Sequence, residues 1–286
     1  MMNQVHIVTD STADLAKELV NQYNISVVPL KVFFGSESFL DGVELNSDEF
    51  FTRLAGSKEL PTTSQPSPAE FTKVYQPWVE KKSDIISIHI SAQMSGTLQS
   101  AQLAKKMLNY EGLEVVDSRA VSVVLGMMVL AAARAAEAGL TRPQIMKLIQ
   151  DIMTDYQVYY MVDTLEYLQR GGRIGRAQAF LGTILNVKPI LTIHEGFVHP
   201  YEKTRGRKKA LNRLVQIISE SYGDTPLFCY LTHGSDWEGL RAIQELVKTK
   251  LNCVEMLESR LGSVVGTHVG PGLAGLAVCP HHYLNF

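Results

Sequence analysis

Two stretches of the chain gather hydroxyl groups beside glycine or proline. Ser91-Ala-Gln-Met-Ser-Gly-Thr97 follows an apolar run and opens a helix-like segment that ends at Asn109. Ligands of open α/β sheets sit outside the carboxyl ends of strands, and a helix N-terminus offers free N–H groups and a favourable dipole to an anion. Gly96 lets the backbone come close to such a ligand, and Ser95 and Thr97 add hydroxyl donors. The plain alternative is a Ser/Thr helix cap. A serine nucleophile fits poorly, because a nucleophile elbow needs glycines where Gln93 and Thr97 stand. The second stretch, Thr62-Thr-Ser-Gln-Pro-Ser67, sets four hydroxyls on a proline-stiffened loop. They can donate to an anion or satisfy their own backbone.

Glycine and arginine mark two further stretches. Val265 to Gly275 contains Gly270, Gly272 and Gly275 in dinucleotide-site spacing, but only eleven residues follow. No helix, second strand and ribose-binding acid about 20 residues on can be fitted. These glycines read as a turn, with His268 before them able to donate to a carboxylate. Leu168 to Arg176 holds Arg170, Arg173 and Arg176 among three glycines and reads as a mobile cationic loop. Lys203, Arg205, Arg207, Lys208 and Lys209 open a helix, where positive charge opposes the dipole, so an anionic partner is expected nearby. The alternative for both clusters is a solvated charged face. Neither is interleaved with aromatics, which argues against nucleic acid. No P-loop, His-Glu-x-x-His or Cys-x-x-Cys motif is present. The pattern offers anion sites without an evident catalytic acid/base pair.

The elements that must position these groups alternate in type. Strands are expected at Gln4–Asp10, Ile25–Phe34, Ile85–Ile90 and Leu113–Val116. Helices are expected at Ala13–Tyr23, from a Ser47 cap, at Ala69–Lys81, Ser95–Asn109 and Val121–Ala138. A possible hairpin returns through Phe39-Leu40, and Leu60–Pro68 reads as loop. After helix Arg142–Thr154 come strand Gln157–Val162, a hairpin around Glu195-Gly196, helix Arg205–Tyr222, strand Leu227–Thr232, helix Trp237–Lys250 and strand Asn252–Glu258. Two closing strands are expected at Ser263–Val269 and Leu276–Val278, and the tail with Cys279, His281 and His282 reads as frayed. The predicted class is α/β with two domains: 1–155, mainly parallel α/β/α with a small insert around 35–68, and 156–286, with a mixed sheet. With 45% hydrophobic residues and a net charge of −2, the chain is globular and shows no global signal for nucleic acid or membrane. Three widely spaced cysteines suit a reducing cytosol. The expected location is the cytoplasm.

Five segments in order resemble the DegV family, whose members include the fatty-acid-binding subunits of bacterial fatty acid kinase. They are Ile7-Val-Thr-Asp-Ser-Thr-Ala-Asp-Leu15, Thr63-Ser-Gln-Pro-Ser67, Ser95-Gly-Thr97, Arg170-Gly-Gly-Arg-Ile-Gly175 and Gly266-Thr-His-Val-Gly-Pro-Gly272. The resemblance implies a long-chain fatty acid of the palmitate, stearate or oleate type between two domains, with no cofactor and no metal. It implies a carboxylate held by Thr63, Ser95 and His268, with Gly96 and Thr97 beside them, and with Thr62 or Ser64 able to take the place of Thr63. It implies a non-enzymatic carrier that presents the carboxylate to a separate ATP-dependent kinase and then serves an acyltransferase of phospholipid synthesis. Arg170, Arg173, Arg176 and Arg205 would meet the partner or, peripherally, a membrane. The alternatives are a lipid-sensing regulator, or a hydrolase with Ser95 as nucleophile and His268 as base. A sixteen-carbon tail buries about 15 carbons, worth at most about 12 kcal/mol, so the tail dominates affinity and the polar residues offset the cost of burying the carboxylate.

Overall fold

The computed structural model describes residues 5–182 and 187–286. Gln4, the expected first residue of the first strand, lies outside them. The fold is α/β, and among the described residues the strands form three sheets. In the first, β1 (Val5–Asp10), β2 (Ser26–Val28), β6 (Asp84–His89) and β7 (Leu113–Asp117) run parallel in the order β2-β1-β6-β7. The second is small and antiparallel, with β3 (Lys31–Phe34) between β4 (Glu37–Leu40) and β5 (Thr62–Ser64). The third is mixed, in the order β10-β9-β8-β13-β11-β12, from β8 (Gln157–Met161), β9 (Val187–His194), β10 (Phe197–Arg205), β11 (Leu227–His233), β12 (Cys253–Arg260) and β13 (Ala274–Pro280). Only β11 and β12 are parallel there.

The helices are α1 (Lys17–Gln22), α2 (Ser47–Gly56), α3 (Pro68–Glu80), α4 (Thr97–Leu108), α5 (Val123–Glu137), α6 (Arg142–Asp155), α7 (Glu166–Arg170), α8 (Arg207–Tyr222), α9 (Trp237–Lys250) and α10 (Ser263–Val269). Helix α5 is the hub. Thirteen of its fifteen residues are buried, because it packs against β1 and β6 of the parallel sheet and against β11 and β13 of the mixed one. A helix covered on every side is apolar all round, which explains the run that starts at Ala120. No helix among the described residues is long and apolar enough to cross a membrane.

The opening Thr-Asp-Ser-Thr segment ties strand ends together. Asp10 Oδ2 accepts from Ile90 N–H at 3.1 Å and bonds His89 Nδ1 at 3.0 Å. His89 Nε2 meets Ser87, whose hydroxyl meets Tyr75. This chain of groups joins β1 to the end of β6 and sets the turn that follows.

Several elements differ from their sequence expectation. Asp10, not Ser11 or Thr12, caps a 3-10 turn, and Asp14 in the left-handed region (φ 48°) stops it, so α1 begins only at Lys17. Pro29 divides the expected long strand into β2 and β3. Asn46, not Ser47, caps α2. The hydroxyl-rich loop contains β5, which pairs with β3. The arginine–glycine stretch begins in α7 and ends in a 3-10 turn at Gly175–Phe180, with Gly171 to Ile174 as the short loop between them. The largest difference is Ser263–Val269, whose β-branched residues read as strand but form α10. Carboxylates from the first half of the chain cap its N-terminus, and Gly270 (φ 72°) ends it. The tail is docked: Cys279 and Leu284 are buried, and Tyr283 donates to Asp155 at 2.6 Å.

Gly126 shows how closely α5 is fitted. A Cβ there would fall 2.5 Å from Ala13 O, with Tyr230 at 3.4 Å. Alanine favours a helix over glycine by about 1 kcal/mol, yet Gly126→Ala should destabilise, because overpacking costs about 1–3 kcal/mol. A urea midpoint below that of the parent checks this.

Candidate functional site

A cavity of about 260 Å³ lies where the three sheets and α5 meet. Its walls come from both halves of the sequence, among them Leu30, Ile90, Val123, Val158, Val198 and Val265. Most of the lining is apolar. Thr63, Ser64, Gln65, Ser95, Arg173 and His268 form one polar group, and Ser122, Tyr160 and Thr232 also line the wall.

Thr63 stands on β5 and His268 in the last turn of α10. Thr63 Oγ1 and His268 Nε2 lie 3.0 Å apart. Burial, with the Arg173 charge beside it, lowers the His268 pKa to about 4, so the ring is neutral at neutral pH. His268 Nδ1 is buried and has no hydrogen-bond partner among the described residues. The ring sits against Gly171, where a Cβ would lie 2.3 Å from Nδ1; the arginine–glycine stretch therefore seats the histidine. Arg173 spans the same place, donating from Nε to Met94 O at 3.0 Å and from a terminal nitrogen to Gly171 O at 2.8 Å.

Ser95 lies in the turn between β6 and α4. Its hydroxyl meets Thr97 Oγ1 at 2.9 Å and accepts from Thr97 N–H at 3.3 Å. Gly96 is the N-cap of α4, and a Cβ there would fall 2.5 Å from the Gln65 amide. The glycine thus lets the β5 loop close onto the turn. Ser95 pairs with Thr97 and His268 with Thr63; no hydrogen bond joins Ser95 to His268 among the described residues, as a nucleophile and its base would require. A Ser87–His89–Asp10 chain has triad-like order, but all three side chains are buried away from the cavity.

Helix α10 is held from its other end. Gly262 N–H donates to Asp14 Oδ1 at 2.9 Å, and Ser263 N–H and Oγ donate to Asp41 Oδ1 at 2.9 and 2.5 Å. Ser122 donates to Asp14 Oδ2 at 2.5 Å. Burial of Asp14, with Asp41 adding like charge, raises its pKa to about 8, and burial raises that of Asp41 as well. Asp14 and Asp41 are thus the ties that place His268.

The structure therefore brings Thr63, Ser95 and His268 to one cavity, with Arg173 beside them. Gly96 and Thr97 support Ser95 from behind, and neither lines the cavity. Thr62 is exposed on the opposite side of the strand. Arg170 pairs with Glu166 at 2.9 Å, and Arg176 and Arg205 are exposed; none of the three lines the cavity. The anion expected at the start of α8 is internal: Arg207 pairs with Asp163 at 2.8 Å and with Asp236. Ser64, read from the sequence as a stand-in for Thr63, also lines the cavity; Gln65 was legible as part of the hydroxyl-rich stretch but not as a lining residue. Asp14 and Asp41 carried no spacing signal, since their role depends on α10 being a helix. Among the described residues, no cluster of His, Cys, Asp and Glu could hold a metal.

A family model described as "Uncharacterised protein, DegV family" matches residues 4–281. A DegV family protein from Thermus thermophilus, reported for its fatty acid binding, superposes with a TM-score of 0.92 at 38% identity, covering 97% of this chain and 99% of that one. DegV of Bacillus subtilis, described as a fatty acid binding protein, superposes with a TM-score of 0.88 at 36% identity, covering 98% and 99%. A stearic-acid-binding protein from Eubacterium ventriosum gives a TM-score of 0.88 at 28% identity, covering 99% and 100%.

The raised Asp14 pKa fixes a sign. The native state holds a proton between about pH 4 and about pH 8 that the unfolded chain has released, so stability falls as pH rises through that window. His6 and His268, both lowered to about 4 from 6.5, act oppositely, as do His199 and His233, which burial also lowers; their effect fades within about a unit above pH 6.5. Between pH 6.5 and 8 Asp14 alone should lower the unfolding free energy by up to about 2 kcal/mol. Asp14→Asn should flatten that slope, as denaturant titrations at the two pH values will show.

Proposed function

Because the chain belongs to the DegV family, we propose that it binds one long-chain fatty acid in this cavity, with the carboxylate at Thr63, Ser95 and His268. The observation that carries the reading is a largely apolar cavity with Thr63, Ser95 and Arg173 gathered at one end about a neutral, buried histidine. A hydrocarbon tail leaves water there at about 0.8 kcal/mol per CH₂. The carboxylate accepts from the Thr63 and Ser95 hydroxyls and from the His268 ring. Charge-assisted bonds of this kind offset the loss of water. Gly96 and Thr97 hold Ser95, and Arg173 supplies positive charge at the same end. On this reading residues 1–155 and 156–286 act as two domains that close over the tail.

The finer reading is a carrier. The protein holds the fatty acid while a separate ATP-dependent kinase phosphorylates its carboxylate, and the acyl phosphate passes to an acyltransferase of phospholipid synthesis. Arg170, Arg176 and Arg205 stay exposed on this side of the sequence's basic stretches and are available to the kinase or to an anionic membrane surface. The ligand-site residues orient the carboxylate and form no covalent bond.

Calorimetric titration with palmitate tests the site. Thr63→Ala, Ser95→Ala and His268→Ala should each weaken binding about 10- to 100-fold, the range for a hydrogen bond to a charged group. Unchanged affinity in all three would remove the assignment. Binding by the parent without acyl-phosphate formation, when a cognate kinase and ATP are supplied, would replace the carrier by a lipid-sensing regulator.

A further inference from the structure

The cavity carries a second polar feature on the mixed sheet. Tyr160 of β8, Gly275 of β13 and Thr232 of β11 stand in register across three neighbouring strands, and all three line the cavity. Tyr160 is only 7% exposed, and its hydroxyl makes no hydrogen bond to another described residue; burial alone raises its pKa. Thr232 Oγ1 is likewise buried without a partner. The hydroxyl of Ser122, also in the wall, is engaged by Asp14. Between Tyr160 and Thr232 the middle strand has no side chain. A Cβ at Gly275 would fall 2.8 Å from Tyr160 Cβ and 3.4 Å from Thr232 Cγ2. The gap leaves Tyr160 and the Thr232 methyl bordering open space in the cavity wall.

The Thr232 hydroxyl, buried without a partner, is unfavourable where valine would fill nearly the same space without that penalty, and phenylalanine would pack as well as tyrosine at 160. Thr63, Ser95 and His268 stand on β5, the turn before α4 and α10, whereas this row lies on the mixed sheet, a different wall of the cavity. We infer that the Tyr160–Gly275–Thr232 row receives a hydrogen-bonding group on the ligand's tail, so that the preferred occupant is a hydroxy or oxo fatty acid rather than a plain one. This rests on the fatty-acid reading above and names the substrate class within it. The Tyr160 hydroxyl donates to the tail oxygen, and Thr232 stands across the gap as second partner.

The test is a calorimetric series of palmitate and monohydroxypalmitates whose hydroxyl is moved stepwise from the carbon next to the carboxylate to the terminal carbon. One position should bind roughly five- to tenfold tighter than palmitate, the gain from a neutral hydrogen bond. Tyr160→Phe should abolish that ratio, and Thr232→Val should reduce it; the second variant decides the matter if the first does not fold. If no position exceeds palmitate, the inference is overturned. It is also overturned if Tyr160→Phe weakens palmitate and every hydroxypalmitate by the same factor, because Tyr160 then meets the carboxylate. Failure of palmitate and of the whole series to bind would instead overturn the fatty-acid reading, and this inference with it.

Discussion

One hydrogen bond, between Thr63 Oγ1 and His268 Nε2, joins groups 205 positions apart in sequence. Much of the fold serves to hold its two ends. Thr63 is fixed because β5 pairs with β3, and the loop after it can close because Gly96 leaves room for Gln65. His268 is fixed because α10 is tied at its N-terminus to Asp14 and Asp41, and because Gly171 accepts the ring without a clash. Shift either end and a buried imidazole faces the cavity unpaired, at a cost of about 1–3 kcal/mol.

That arrangement also sets the electrostatics. A carboxylate entering an apolar cavity needs donors already in place, since reorganising them in low dielectric is expensive. Here Thr63 engages His268, Ser95 engages Thr97, and Arg173 engages two backbone carbonyls. His268 Nδ1 apart, these polar groups are satisfied by neighbours, and each such bond can be exchanged for one to an anion. Asp14, its pKa raised to about 8 by burial, keeps a proton at neutral pH, which spares the site that negative charge close to the ligand's own.

The alternation of strands and helices, the parallel sheet, the hairpin at Glu195-Gly196 and the buried α5 were legible in the sequence because each rests on local pattern. So were Thr63, Ser95 and His268, through segments whose order matches a family. What escaped the sequence was set by distant partners. Ser263–Val269 has strand composition and becomes a helix only because Asp14 and Asp41 cap it. Thr62–Ser64 lies among prolines and serines and becomes a strand only because β3 offers an edge. The Asp10 network, too, draws on residues from β1, β6 and α3 that no spacing rule connects. The roles of Gly171 and Gly96 appear only when the side chains opposite them, His268 and Gln65, are in place.

The central claim is that the cavity holds a fatty acid in the protein as it exists in cells. Native mass spectrometry of the protein purified without added lipid, repeated after denaturation, tests it most directly. The account predicts a mass increment equal to one long-chain fatty acid, lost on denaturation, and its value identifies the chain and any oxygen it bears. A protein that arrives empty, and stays empty when palmitate or oleate is added, would contradict the account and leave the Thr63, Ser95 and His268 cluster as a site for a smaller anion.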